Sequence, residues 1–315
     1  PMETRRDAVL HLAVRAEELG YDAFHLAEGW GHDAGVLLAE VALATRRIRL
    51  GTGVLNVWGR SAASLAMLAR GLDAVSGGRF ALGLGAGSPA LAEGLHDTAF
   101  TDPVGRLETV TRQVRVLLDG GRLTPTAAHR ERPLRLDGPP GAPIPLQLAA
   151  LGPRSVRLAG ELADGWLPFL LPVSALKARI GLLEEGAARA GRVATAQVRP
   201  NLPVAVADDP TEATALAQWW VGNYLTRMGP LYRDTLRRLG FGPAVDVVLA
   251  GAAPPAVLLD ELTVHGDART AHDALERWRA AGAQLPVLVL PPNRPLDELD
   301  RVLTALAPTE RRTAP

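Results

Sequence analysis

Short apolar segments alternate with amphipathic stretches along most of this chain. The apolar segments predict seven strands, at residues 23–27, 48–55, 80–85, 146–151, 165–170, 198–207 and 285–290. Apolar residues at helical spacing predict helices between them, at residues 7–19, 35–45, 61–75, 103–118, 174–190, 211–239, 269–281 and 296–306. This alternation predicts an α/β fold, with a parallel sheet and helices outside it.

Glycines gather where two of these strands end. Gly51 and Gly53 lie in the predicted strand 48–55, and Gly83, Gly85 and Gly87 lie in or just after the predicted strand 80–85. Glycine has no side chain, so a ligand can lie directly against the backbone there. Parallel α/β proteins also bind ligands at the carboxyl ends of their strands. The G-x-G-x-G spacing differs from the G-x-G-x-x-G dinucleotide fingerprint, which makes a Rossmann fold the less favoured interpretation.

Composition limits the functional classes. The 315 residues are long for an ordinary domain but normal for an α/β barrel, and we find no repeat or long linker, so we expect one domain over residues 1–315. The net charge is zero, which gives no global attraction to nucleic acid or to an anionic membrane. The chain has no cysteine, its seven histidines lack metal-binding spacing, and no apolar run is long enough to span a bilayer. We therefore expect a cytoplasmic protein that binds a small molecule and holds no metal.

Two regions fit no regular element. Residues 124–145 are rich in proline, arginine and glycine and predict an irregular connection. Residues 240–263 are rich in proline and alanine and predict an insertion near the C-terminal third of the fold.

An ordered set of motifs resembles the bacterial luciferase-like superfamily of flavin and deazaflavin oxidoreductases. The motifs lie at residues 16–23, 49–54, 76–80, 82–87, 159–166 and 282–288. The resemblance covers residues 10 to 290 and implies a TIM-like (β/α)8 barrel. A closed barrel needs eight strands. Since the chain begins in a predicted helix, we expect the first strand to lie before residue 1, and an open doubly wound sheet remains the competing architecture.

The resemblance is to the F420-dependent branch, and it implies coenzyme F420, or alternatively FMN, at the carboxyl ends of the strands. In family members a non-prolyl cis peptide backs the cofactor ring, and the corresponding bond here is Gly53–Val54. The other implied contacts are Ala86, Gly87, Ser88, Ala149, Ala150, Leu151 and Gly152. The predicted helix that opens at Pro153 offers free N–H groups to an anion, with Arg154 and Ser155 beside them.

Two departures from the family pattern bear on the reaction. The F420-dependent sugar-phosphate and alcohol dehydrogenases that this chain resembles have a histidine where this chain has Gly29, directly after Glu28, and a glutamate acid where it has Ser88. We therefore expect a reductase that transfers hydride from reduced F420 to an activated C=C or C=N bond of a hydrophobic small molecule. The alternatives are an FMN-dependent monooxygenase that uses reduced flavin and O2, and a non-catalytic flavin-binding protein.

Such a reductase needs a proton source and a substrate pocket. Glu28, His25, His96 and water are the candidate proton sources, although Glu28 and His25 also fit buried structural roles. Aromatic residues near strand ends predict an apolar substrate pocket. The candidate substrate contacts are Trp30, Asn56, Trp58, Trp166 and Phe169. The family also implies a homodimer, to which residues 240–263 and the pair Trp219 and Trp220 are expected to contribute.

Overall fold

The computed structural model describes residues 3–124 and 132–308. Within these ranges the strands are β1 (Ala23–Leu26), β2 (Arg49–Thr52), β3 (Leu55–Asn56), β4 (Phe80–Gly85), β5 (Leu146–Leu148), β6 (Gly165–Trp166), β7 (Gln197–Val198), β8 (Asn201–Val206), β9 (Val264–Gly266) and β10 (Val287–Val289). The helices are α1 (Arg6–Glu18), α2 (Ala34–Ala44), α3 (Ala62–Ser76), α4 (Pro89–Ala92), α5 (Pro103–Leu118), α6 (Pro153–Leu162), α7 (Val173–Arg189), α8 (Pro210–Arg227), α9 (Pro230–Leu236), α10 (Gly242–Leu249), α11 (Ala256–Leu262), α12 (Ala268–Ala280) and α13 (Leu296–Ala305).

All paired strands run parallel and form a curved sheet, which is the wall of the barrel. The order is β1-β2-β4-β5-β6-β7, with β3 also beside β4, and a second group pairs in the order β10-β8-β9. A bridge between Phe169 and Asn201 connects the two groups. This architecture confirms the predicted TIM-like α/β fold. In the part of the chain that the structure describes, no strand pairs with the outer edge of β1 or of β10, so the wall is open between them.

Two apolar clusters hold the fold together. The larger one joins the strands to the helices around them and includes Phe80, Trp166 and Trp278, which are fully buried. The second joins α8, α9, α10 and α11 to Leu170 and Ala205, beside the ends of β6 and β8. The second cluster therefore fastens the helices of the C-terminal insertion to the wall.

The structure differs from the predicted elements where proline or glycine interrupts a pattern. The predicted strand 198–207 is interrupted between β7 and β8 at Pro200, which has no N–H to donate. The predicted helix 211–239 breaks at Gly229, whose φ is +78°, and α9 begins at Pro230. Residues 240–263, for which the sequence predicted no element, form α10 and α11.

Part of the predicted irregular connection, residues 125–131, lies outside the described residues, and residues 132–145 contain no helix or strand. No helix within residues 3–124 and 132–308 is both long and apolar enough to cross a membrane.

Candidate active site

A cavity of about 390 Å³ opens along the inside of the wall. Several predicted site residues line it together: His25, Glu28, Gly53, Val54, Ala149 and Phe169. The cavity continues between β1 and β10 to the helices outside them, where Leu12 and Leu303 line it. Its size and its largely apolar lining are typical of small-molecule sites. The structure therefore brings the ends of β1, β2, β5 and β6 to one cavity.

The segment between β2 and β3 forms a bulge held from both sides. The Gly53 N–H donates to the Leu26 carbonyl at 2.8 Å, and the Glu28 N–H donates to the Val54 carbonyl at 3.3 Å. On the other side the Thr52 hydroxyl bonds to both the carbonyl and the N–H of Gly83, each at 2.8 Å. The Gly53–Val54 peptide bond is cis, as the family resemblance implied.

The bulge explains two of the glycines in β4. A Cβ at Gly83 would lie 1.9 Å from the Thr52 carbonyl oxygen, and a Cβ at Gly85 would lie 2.6 Å from a methyl group of Val54. Cβ atoms do not approach other atoms so closely. The sequence predicted that glycines here leave room for a ligand. In the structure, the absence of a side chain at Gly83 and Gly85 instead allows the bulge to pack against β4.

Glu28, a predicted proton source, is held in a partly buried ion pair. Its carboxylate accepts hydrogen bonds from both Nη atoms of Arg60, one of them at 2.8 Å, and from the Ala34 N–H at 2.9 Å. Only 8% of the Glu28 side chain is exposed, and Arg60 also contacts Asp33. The hydrogen bond with Glu28 raises the pKa of Arg60. In this arrangement Glu28 accepts hydrogen bonds and joins the end of β1 to the loop before α3.

His25, the second predicted proton source, is enclosed by the wall. Its ring lies over Gly51, where a Cβ would be 2.4 Å from the ring. Burial, with the nearby charge of Arg199, lowers the pKa of His25 from 6.5 to about 3. The imidazole is therefore neutral near pH 7 and has no imidazolium proton to give.

His96 belongs to a cluster beside the cavity, at the ends of β3 and β4. The Asn56 Oδ1 atom accepts from the N–H groups of Trp58 and Gly59, both at 2.9 Å, so the amide Nδ2 faces His96 Nε2 at 3.3 Å. Because an amide nitrogen is a donor, this network assigns Nε2 as the acceptor and puts the His96 proton on Nδ1. Gly87, at φ +67°, leaves room for this cluster.

The predicted aromatic contacts divide between the cavity and the core. Phe169 lines the cavity, but Trp166 is fully buried and donates to the Ala150 carbonyl at 2.9 Å. Successive residues of a strand face opposite sides, and Leu167 and Phe169 face the cavity, so Trp166 faces the helices. Trp58 is also buried, and its indole N–H donates to the Ala86 carbonyl at 2.7 Å. These placements do not support substrate contacts for Trp166 or Trp58.

The remaining predicted residues lie around the cavity rather than on its lining. Trp30 is exposed, and Ala150 and Leu151 are buried. The Ser88 hydroxyl accepts from the Leu91 N–H at 3.4 Å and caps α4. At the start of α6, Arg154 pairs with Asp102 at 2.9 Å, and the Ser155 hydroxyl donates to the Gly152 carbonyl at 3.0 Å.

Polar residues that the sequence did not single out also line the cavity, and those from the second half of the chain are Arg199, Asn201, Tyr224 and Tyr232. The turn at Gly229 and Pro230 brings Tyr232 back beside Tyr224, and the interpretation of 211–239 as a single helix concealed this. The glycine–proline dipeptide was the available signal. Burial lowers the pKa of Arg199 to about 10, and its Nε atom has no hydrogen-bond partner among the described residues.

Comparisons with known proteins agree with this architecture. The sequence model of the family described as luciferase-like monooxygenase matches residues 2–285. A Mycobacterium tuberculosis protein that carries the name of a coenzyme F420-dependent oxidoreductase is 32% identical, over 88% of this chain and 89% of its own length. The 4-hydroxyprotoasukamycin monooxygenase of Streptomyces nodosus is 32% identical, over 75% of this chain and 70% of its own.

Among solved structures, the coenzyme F420-dependent tetrahydromethanopterin reductase of Methanopyrus kandleri superposes with a TM-score of 0.77. It is 20% identical, and the match covers 96% of this chain and 94% of that one. At that identity the likeness concerns the fold alone.

Proposed function

Because the chain belongs to the luciferase-like monooxygenase family, we propose that it is an F420-dependent oxidoreductase acting as a reductase. The reaction is hydride transfer from reduced F420 to an activated C=C or C=N bond of a hydrophobic small molecule. The observation that carries the proposal is the largely apolar cavity beside the Gly53–Val54 bulge. The F420-dependent name of the Mycobacterium tuberculosis relative supports the choice of cofactor.

The residues around the cavity fit a flat cofactor ring with an anionic tail. Gly53, Val54 and Ala149 present backbone and small apolar side chains to the cavity, which suits a planar ring. The start of α6 has no side-chain cap, so its free N–H groups remain available to a phosphate, and Arg154 lies on its first turn. Ala86, Gly87 and Ser88 complete the proposed cofactor site. The bound cofactor would supply the hydride.

The protein's own part in such a reaction is to exclude water and to position the reacting groups. The ion pair of Glu28 with Arg60 joins the end of β1 to the loop before α3, and neutral His25 lines the cavity. Near neutral pH His25 has no imidazolium proton to give, which leaves Glu28, His96 and water as the proposed proton sources.

The alternative is an FMN-dependent monooxygenase, which the name of the Streptomyces nodosus relative favours. Anaerobic and aerobic turnover separate the two. We expect reduced F420 to be oxidised without O2 when a panel of unsaturated ketones and cyclic imines is supplied. Turnover that requires reduced FMN and O2 would support the monooxygenase instead. The absence of turnover with either cofactor would support a non-catalytic binding protein.

We also propose a homodimer, for which residues 240–263 remain a predicted contact and a second surface is available. Trp220 is fully buried and donates to the Val204 carbonyl, so the predicted tryptophan pair offers only Trp219 to a partner. Large apolar side chains are also exposed on the adjacent helices α2 and α3, where Val36 is 69%, Leu43 72% and Met67 63% exposed. Light scattering of the wild type and of Leu43→Glu tests this proposal. A monomeric wild type would overturn it.

A further inference from the structure

Two tyrosines cover one corner of the cavity. Tyr224 on α8 and Tyr232 on α9 pack edge to face, with ring centroids 5.4 Å apart. Both rings also meet Phe169 edge to face, at 4.7 and 6.0 Å. All three residues line the cavity. The two rings are therefore held in place by aromatic packing, which fixes each hydroxyl oxygen and leaves only the O–H bond free to rotate.

Neither hydroxyl has a hydrogen-bond partner among the described residues. The chain has three tyrosines, and the third provides the contrast, because the Tyr21 hydroxyl donates to the Leu303 carbonyl at 2.8 Å. Both residues are partly exposed and line the cavity, so their hydroxyls are open to water or to a ligand there. Burial raises the pKa of Tyr232 to about 12 and raises that of Tyr224 further, so both groups keep their protons near neutral pH. They are two free donors at one corner of the cavity.

Asn201 adds a third polar group to this corner. It bridges to Phe169 across the wall and lines the cavity, and its side-chain amide makes no hydrogen bond within residues 3–124 and 132–308. Three residues that can donate a hydrogen bond therefore line the cavity beside Phe169. Donors fixed in a mainly apolar site stabilise an oxygen on which negative charge develops.

We propose that Tyr224, Tyr232 and Asn201 bind the carbonyl oxygen of an α,β-unsaturated carbonyl substrate. The inference rests on the proposed function and narrows its substrate class. Hydride from the reduced deazaflavin forms a C–H bond at the β-carbon, and the π electrons of the C=C bond move to give an enolate. The three donors hold the enolate oxygen, and a proton from water completes the α-carbon. The cofactor, when bound, would supply the hydride with its two electrons and would release one proton to solvent, which replaces the proton taken from water.

The test uses 4-nitrophenolate, a stable oxyanion that resembles an enolate and reports its environment by its absorbance. The variants are Tyr224→Phe, Tyr232→Phe and both together. Tyr21→Phe is the matched control, because Tyr21 also lines the cavity but its hydroxyl already donates to the Leu303 carbonyl. F420 binding, followed by fluorescence quenching, is measured for every variant, and near-ultraviolet circular dichroism verifies the fold.

We expect each cavity variant to weaken 4-nitrophenolate about tenfold, the effect of losing one charge-assisted hydrogen bond. F420 affinity should stay within about twofold of the wild type, and the absorbance band of the bound ligand should shift. The control should match the wild type. With cyclohex-2-enone, kcat should fall more than KM changes, because the donors act mainly on the developing enolate.

Failure of the inference and failure of the proposed function look different. If the wild type binds F420 but not 4-nitrophenolate, or if the cavity variants bind 4-nitrophenolate as the control does, the carbonyl site is wrong and the reductase proposal stands. If cyclic imines are reduced and enones are not, the substrate class is wrong. If the wild type does not bind F420, the proposed function fails, and the 4-nitrophenolate result still decides whether an oxyanion site exists.

Discussion

Gly83 lies against the carbonyl oxygen of Thr52, with no room for a side chain between the two strands. A Cβ on Gly83 would sit 1.9 Å from that oxygen, and the Thr52 hydroxyl bonds to both backbone polar groups of Gly83. This contact fixes the bulge that lines the proposed cofactor site. The position of the cavity wall therefore depends on the absence of one methyl group in β4.

Gly83→Ala should move or unfold the bulge. We expect a loss of about 3 kcal/mol or more of unfolding free energy, because the clash is with backbone atoms that cannot turn away. F420 binding should also be lost, because the bulge lines the proposed cofactor site. Gly71→Ala is the control, since Gly71 is an exposed residue of α3 with nothing near its missing Cβ, and it should stabilise the protein slightly. Urea denaturation measures both. Equal stability of the two variants would contradict the account.

Arg60→Met should leave the carboxylate of Glu28 without its cation. Because Glu28 is mostly buried and Arg60 is 17% exposed, we expect a loss of about 2–3 kcal/mol of stability. Arg301→Met, which breaks an exposed pair at 3.6 Å, should change stability by less than about 0.5 kcal/mol. Adding Glu28→Gln to Arg60→Met should recover part of the loss. Chemical denaturation that shows no such recovery would indicate that Arg60 acts through packing alone.

Arg199→Met should stabilise the protein. Arg199 is nearly fully buried, its pKa is lowered by burial and by Arg49, and among the described residues it has no ion-pair partner within 4 Å. Burying an unpaired cation costs more than burying an apolar side chain of similar length. We expect a gain on the order of 1 kcal/mol, seen as a higher melting temperature. A clear loss of stability would mean that the charge has a compensating partner.

His25 should make stability depend on pH in the acid range. The pKa of His25 in the folded chain, about 3, is below the ordinary value of 6.5. Between these two pH values the unfolded chain therefore binds a proton at this residue and the folded chain does not. Stability is therefore full above pH 6.5 and falls as the pH drops towards 3, by up to about 1.4 kcal/mol per pH unit. His25→Gln should flatten this slope, and His32→Gln, at an exposed position, should not. An unchanged slope in His25→Gln would show that the imidazole is protonated in the fold.

The sequence predicted the structure best where a single strand or helix shows one regular spacing of apolar residues. The parallel arrangement follows from alternating strands and helices, and the seven predicted strands all appear, although two are interrupted. The interruption at Gly53 and Val54 was expected from the resemblance. The short strand β9 was missed, because its three residues follow a segment that showed no periodic pattern.

The candidate site was less predictable, because its polar groups come from distant segments. Trp166 and Phe169 looked equivalent as aromatics near a strand end, yet an offset of three residues puts them on opposite faces. Tyr224 and Tyr232 meet only because the chain turns at Gly229, and no local pattern relates them to Phe169. Alternation within a strand was available to correct the first error. The second contact depends on tertiary packing.

Cofactor binding tests the central claim most directly. The purified protein is titrated separately with F420 and with FMN at moderate salt, and fluorescence quenching gives the two dissociation constants. We predict tight, saturable binding of F420 and much weaker binding of FMN, with F420 binding lost in Gly83→Ala and kept in Gly71→Ala. Tight binding of FMN alone, or of neither cofactor, would contradict the assignment of this chain as an F420-dependent reductase.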